Sequence, residues 1–252
     1  MTIRLKKILF YICVVLAIFV IYKIAFNPKI NYVALGDSTA EGMNPYGEIG
    51  YGYTDYIADY LSKNNLLANY IKEYATSDYK ISDLANDINN NKSIIHNDSH
   101  INIKSTLRES DLITLSIGTN DFFDGVTVDN LSIKLKDKSY LKNKIDRISL
   151  EFDDLLVLIK KYAKGSIIVI GYYNPFPYEQ IYKDDIDELV KYWNDECSKI
   201  CEKNNVYFVD VFQYFDNRTD YLPNPLDKHP NVFGYNEIFN RVKEVLDKNI
   251  VK

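Results

Sequence analysis

Cysteine, histidine and tryptophan are scarce in this 252-residue chain, with three, three and one copies. Three cysteines cannot set up a disulfide framework, and no CxxC pair suggests a bound metal. Cys13 lies in an apolar N-terminal run. Cys197 and Cys201 share a helical stripe with Ile186, Leu189, Val190, Trp193 and Ile200, where buried, inert thiols are expected. HExxH, the GxxxxGK[ST] loop and the dinucleotide glycine fingerprint are all missing, so neither metal nor cofactor is expected. Internal repeats are absent too. Basic charge is the minority after residue 27, with 26 Lys and Arg against 35 Asp and Glu, a net of −9. Such an acidic surface argues against nucleic acid as a partner.

The composition that remains, 46% hydrophobic and 26% charged, is that of one globular domain rather than a disordered chain. Ahead of it stands a distinct segment. Arg4, Lys6 and Lys7 precede an apolar run over residues 8–22, and Lys23 is followed by Ile24, Ala25 and Phe26. Residues 8–26 approach the ~20 needed to span ~30 Å of hydrocarbon, and the Lys23 stem can snorkel to the interface. The bulky residues at 22–26 make a poor small-x-small cleavage site, so an uncleaved transmembrane anchor is expected rather than a removed signal. The basic cluster leaves the N-terminus in the cytoplasm and everything after Asn27 outside. The expected division is therefore a basic stub and membrane anchor over residues 1–27, then an extracytoplasmic domain over 28–252. Secretion after cleavage is the alternative.

Runs at residues 30–35, 112–117, 166–172 and 206–211, with a weaker one at 69–75, read as buried strands. Between them lie helical patterns: Ile145, Ile148, Phe152, Leu155, Leu156 and Ile159 on one face, then the cysteine-bearing helix, then Ile238, Val242, Val245 and Leu246. Strands alternating with helices predict an α/β fold with a five-stranded, mostly parallel sheet covered on both faces. Residues 86–105 and 124–144 are the least regular and are expected as loops or short helices at the carboxyl edge of the sheet.

Three segments carry candidate chemistry. In Gly36-Asp37-Ser38-Thr39, a serine leaves a strand beside a glycine that permits a tight turn. In Gly118-Thr119-Asn120-Asp121, an asparagine at a strand end can aim its amide at a developing oxyanion. In Asp227-Lys228-His229-Pro230, an imidazole sits beside a carboxylate on a proline-bounded loop. The other histidines, His96 and His100, have a spacing that would suit a metal site on a helix. The intervening Asn97, Asp98 and Ser99 favour a solvated loop instead.

In this order, the three segments resemble the SGNH, or GDSL-type, hydrolases, and the resemblance runs from about Tyr32 to the last helix. It implies a flavodoxin-like three-layer α/β/α sandwich and a serine ester hydrolase working through an acyl-enzyme. By the same resemblance Ser38 is the nucleophile, His229 the general base, and Asn120 and the Ser38 N–H are oxyanion donors. Four departures stand out. Thr39 replaces a leucine. Asp78 occupies the place of the glycine whose N–H completes the oxyanion hole, so its carboxylate must turn outward. Glu73 stands where asparagine is frequent and has no assigned role. The acid three residues before the histidine is replaced by Leu226, which leaves Asp227, two residues before, or a backbone carbonyl to orient the ring. The implied substrate is a small-molecule, lipid or acylated-sugar ester. O-acetyl transfer to or from a cell-wall or surface polysaccharide is the alternative, and a binding module without activity is a third. Six tyrosines, Tyr46, Tyr51, Tyr53, Tyr172, Tyr173 and Tyr178, are candidates for lining a substrate pocket.

Overall fold

The computed structural model describes residues 28–123 and 137–251, together with residues 7, 10–16, 127–129 and 132–134. Nine strands are β1 (Ile30–Gly36), β2 (Leu67–Ala75), β3 (Ser93–His96), β4 (Ser99–Asn102), β5 (Leu112–Ser116), β6 (Thr127–Asp129), β7 (Ser132–Lys134), β8 (Ser166–Ile170) and β9 (Tyr207–Val209) among the described residues. The helices are α1 (Ser38–Glu41), α2 (Tyr53–Lys63), α3 (Ile81–Asn89), α4 (Ile103–Glu109), α5 (Thr119–Phe123), α6 (Lys138–Lys160), α7 (Lys183–Lys203), α8 (Phe212–Phe215) and α9 (Val232–Asn249).

Five strands form one sheet in the order β2-β1-β5-β8-β9, and every pair is parallel. Alternation along each strand sends side chains to two separate cores. Val33, Leu35, Ile113, Leu115, Ile167 and Val169 face a cluster that includes Leu84, Phe152, Leu156 and Trp193, from α3, α6 and α7. Tyr32, Ala34, Ile168 and Ile170 face Ile57 and Leu61 of α2 and Ile238, Val242 and Leu246 of α9. Both faces are thus covered, which is why the strands read as unbroken apolar runs. Cys197 and Cys201 are buried, and burial pushes the Cys201 thiol up to about 12.

This order reverses direction at β1. Successive connections from β1 therefore run to opposite sides, and a crevice opens beyond the carboxyl ends of β1 and β5. Ser38 leaves the first of these strands and Asn120 the second.

Two expectations are corrected. Residues 86–105, expected as loops or short helices, begin in α3 and end in α4, but their middle is neither. After α3 they form the hairpin β3–β4, which lies alongside β2: the Tyr74 hydroxyl donates to the Ile101 carbonyl at 3.1 Å. Asn97 and Asp98 have φ of 49° and 59°, the two consecutive positive values that a two-residue type I′ turn needs and that Asn and Asp tolerate. Residues 124–144 likewise contain the hairpin β6–β7 and then the start of α6, capped by the Asp137 carboxylate on the Ser139 and Tyr140 N–H groups. Among the described residues no helix is long and apolar enough to cross a membrane. Residues 10–16 are helical, and the rest of the 8–26 run expected to form an anchor lies outside the described residues.

Candidate functional site

The position of Ser38 follows from Gly36 and Asp37. Gly36 has φ +140°, and a Cβ added there would sit 1.9 Å from the Ser116 carbonyl oxygen. Only glycine lets the exit of β1 press so closely on β5. The Asp37 N–H then donates to that same oxygen at 2.9 Å. Its side chain accepts from the Thr39 N–H at 3.0 Å, capping the single turn that begins at Ser38. Because the cap takes Thr39, the Ser38 N–H is left without a partner among the described residues.

Ser38 Oγ lies 2.7 Å from His229 Nε2. His229 Nδ1 lies 2.7 Å from Asp227 Oδ1, and the same carboxylate oxygen accepts the His229 backbone N–H at 2.7 Å. A carboxylate can only accept, so Nδ1 bears the proton and Nε2 is left to accept from the serine hydroxyl. Asp227 thus reaches the ring from two residues away through a local turn in which one oxygen holds both backbone and imidazole. Ser38 and His229 are buried, at 3% and 5% exposure. Such a chain can draw a proton from the hydroxyl and stabilise the imidazolium that results.

The opposite wall is built by longer-range contacts. Asp78 has φ 64° and is exposed. Its N–H makes no hydrogen bond among the described residues. Glu41, three residues after Ser38, holds this turn in place by accepting from the Ser77 N–H at 2.8 Å and from the Ser77 hydroxyl at 2.5 Å. Asn120 is half-buried; its Nδ2 donates to the Tyr79 carbonyl at 2.9 Å, and its Oδ1 accepts from Lys228 Nζ at 2.5 Å.

Charge is unevenly distributed around these groups. Burial pushes the Asp37 carboxyl above its ordinary range, and the Thr39 N–H, Lys228, His229 and Thr119 pull it back. Burial also raises Asp121 to about 6, opposed by the bond it accepts from the Ile81 N–H at 3.1 Å. Between the segment after Ser38 and the residue before His229 lies a hollow of about 20 Å³, lined by Thr39, Thr119, Phe123, Tyr172, Tyr173 and Lys228 among others. That is room for a water or a methyl-sized group. Of the six tyrosines, Tyr172 and Tyr173 line it; Tyr53 is buried in the α2-side core, and Tyr46, Tyr51 and Tyr178 are exposed.

The structure brings Ser38, His229 and Asp227 into one hydrogen-bonded chain. Reasoning from sequence missed Lys228, Glu41 and Tyr79. Lys228 sits inside a quoted motif and Glu41 two residues past another, but only their location there hints at a role. His96 and His100 fall on opposite faces of their hairpin, since Ile95, not His96, pairs with His100. His96 Nδ1 instead lies 2.8 Å from Glu73, which gives that glutamate a partner. Among the described residues no group of three or more His, Cys, Asp or Glu is placed to hold a metal ion.

Residues 34–236 match the GDSL-like Lipase/Acylhydrolase family. The uncharacterised protein YpmR of Bacillus subtilis (strain 168) is 24% identical over 221 residues, covering 85% of this chain and 80% of that one. Among solved structures, the extracellular lipase of Streptomyces rimosus superposes with a TM-score of 0.60 at 17% identity, over 84% of this chain and 98% of its own. A catalytic mutant of the acetylxylan esterase Axe2 of Geobacillus stearothermophilus gives 0.61 at 18%, over 90% and 98%. The lipase Lip_vut3 from a goat rumen metagenome gives 0.64 at 16%, over 84% and 95%. At these identities the structural likenesses establish the fold, while the family match covers well over half of the sequence. The chain belongs to the GDSL-like lipase/acylhydrolase family and is a hydrolase of ester bonds.

Proposed function

We propose that Ser38 attacks the ester carbonyl, with His229 as general base and Asp227 as the acid that orients it. The observation that carries this reading is the pair of 2.7 Å contacts joining Ser38 Oγ, the His229 ring and Asp227. His229 Nε2 takes the serine proton as the oxygen–carbon bond forms. The tetrahedral oxyanion is met by the Ser38 N–H, the Asp78 N–H and the Asn120 amide. Collapse expels the alcohol, which receives the proton from the imidazolium, and leaves an acyl-Ser38. Water, activated by the same histidine, releases the acid.

Hydrolysis of O-acetyl groups on a cell-wall or surface polysaccharide is the sharper form of the proposal, supported by the likeness to the acetylxylan esterase Axe2. Transfer of the acetyl group to a sugar acceptor would use the same residues. The basic cluster and apolar run over residues 4–26 support placing the domain outside the membrane on an uncleaved anchor. Persistence in the membrane fraction after salt washing, with release only by detergent, checks that placement.

The test is turnover of p-nitrophenyl acetate and longer acyl homologues by the full chain in detergent, with Ser38→Ala beside it. The rate is expected to fall at least ~1000-fold in the variant and to decline with acyl length in the parent. Activity that survives Ser38→Ala overturns the assignment of the nucleophile.

A further inference from the structure

Lys228 is half-buried, and its ammonium bonds to the neutral amide oxygen of Asn120 at 2.5 Å. Partial desolvation of an ammonium is costly, and a carboxylate partner would offset more of that cost than an amide does. The lysine is also held rigidly. Its carbonyl accepts from the Tyr173 hydroxyl at 3.0 Å, and its neighbours Asp227 and His229 are fixed by the bonds already described.

The amide is held at both ends. Nδ2 gives one proton to the Tyr79 carbonyl at 2.9 Å, and Oδ1 receives the ammonium. With those two directions set, the plane of the amide is set, and so is the direction of the second Nδ2 proton. A charge-assisted bond at the oxygen also polarises the amide and strengthens that N–H as a donor. Freed from Lys228, the amide could rotate and turn its oxygen toward the developing negative charge.

We infer that Lys228 is a positioning residue that locks and polarises the Asn120 amide for the oxyanion, coupling the histidine loop to the opposite wall of the crevice. The inference rests on the Ser38 ester-hydrolase reading. It gives Lys228 no proton to transfer and no bond to make; the ammonium also acts on the Asp37 carboxyl, and that contribution survives Asn120→Ala, whereas the one inferred here does not.

The experiment is a double-mutant cycle on the full chain in detergent, with Lys228→Met, Asn120→Ala and both together, read as kcat and KM on p-nitrophenyl acetate. Lys228→Met is expected to lower kcat about tenfold with KM within about twofold, because the contact matters only once charge develops. In the Asn120→Ala background the same change is expected to cost less than about twofold. Lys228→Arg should restore most of the rate, since a guanidinium can reach the same oxygen, whereas Lys228→Gln, a donor without charge, should restore only part. Thermal melts establish that each variant is folded, and Lys228→Gln stands in should the methionine variant fail to fold. An unchanged kcat in Lys228→Met, or a loss of full size in the Asn120→Ala background, overturns the inference while leaving Ser38 untouched. Turnover that is insensitive to Ser38→Ala overturns the underlying reading, and this inference with it.

Discussion

His229 takes its orientation from a residue two positions away, whereas Asn120 takes its orientation from Tyr79 and Lys228, 41 and 108 residues distant. The first arrangement is local: one carboxylate oxygen holds the His229 ring and its N–H, so the pair assembles wherever the loop goes. A change in spacing from three residues to two is absorbed by the turn itself. The second exists only once the segments after β2 and β5 and the last loop have met. A local device tolerates sequence drift, while a non-local one depends on the register of the whole sheet.

That contrast can be broken at several points. Asp227→Asn should have the largest effect, lowering kcat by roughly 10²–10⁴-fold, because an amide at that position no longer enforces the Nδ1–H tautomer. A loss below about tenfold, measured under saturating ester, would mean that the base is held by the loop backbone instead. On the other wall, Asp78→Gly should raise kcat/KM about two- to threefold at low ionic strength, since glycine accepts the φ of 64° and removes a nearby negative charge. The gain should fade with added salt; a fall in rate would indicate that the carboxylate supports the turn.

The smallest effect on turnover is expected at Asp121, where the change is in stability. Its folded value of about 6 lies above the ordinary aspartate value. The native state therefore binds the proton more tightly, and stability declines as pH rises from about 4 to about 6. Asp121→Asn keeps an acceptor for the Ile81 N–H and should stabilise the protein by about 1–3 kcal/mol at pH 7.5. That advantage should disappear near pH 4, as followed by chemical denaturation at both pH values.

The sheet was legible because apolar runs such as residues 112–117 report burial on both faces, and burial fixes strand type. Ser38 and His229 were legible as the ends of a motif pattern. The hairpin over residues 93–102 was not, because its signal lies in the Asn97-Asp98 pair rather than in periodicity; reading that pair as a type I′ turn would have found it. Lys228 was illegible for a different reason. A half-buried ammonium and a solvated one look identical in sequence, and what separates them is a partner 108 residues away. Glu41 is the same case, as its bonds to Ser77 form only when two loops close on each other.

One feature of β1 bears on where substrate comes from. The strand enters the sheet at Ile30 and delivers Ser38 just past its far end at Gly36, a run of roughly 23 Å at ~3.3 Å per residue. Only Asn27, Pro28 and Lys29 separate the proposed anchor from Ile30, so the tether is short. On the anchor proposed above, a bilayer would face the amino edge of the sheet, and the mouth of the crevice would look the opposite way. With that proposed tether, an ester arriving from beyond the membrane would meet Ser38 ahead of any lipid in the leaflet that held the anchor.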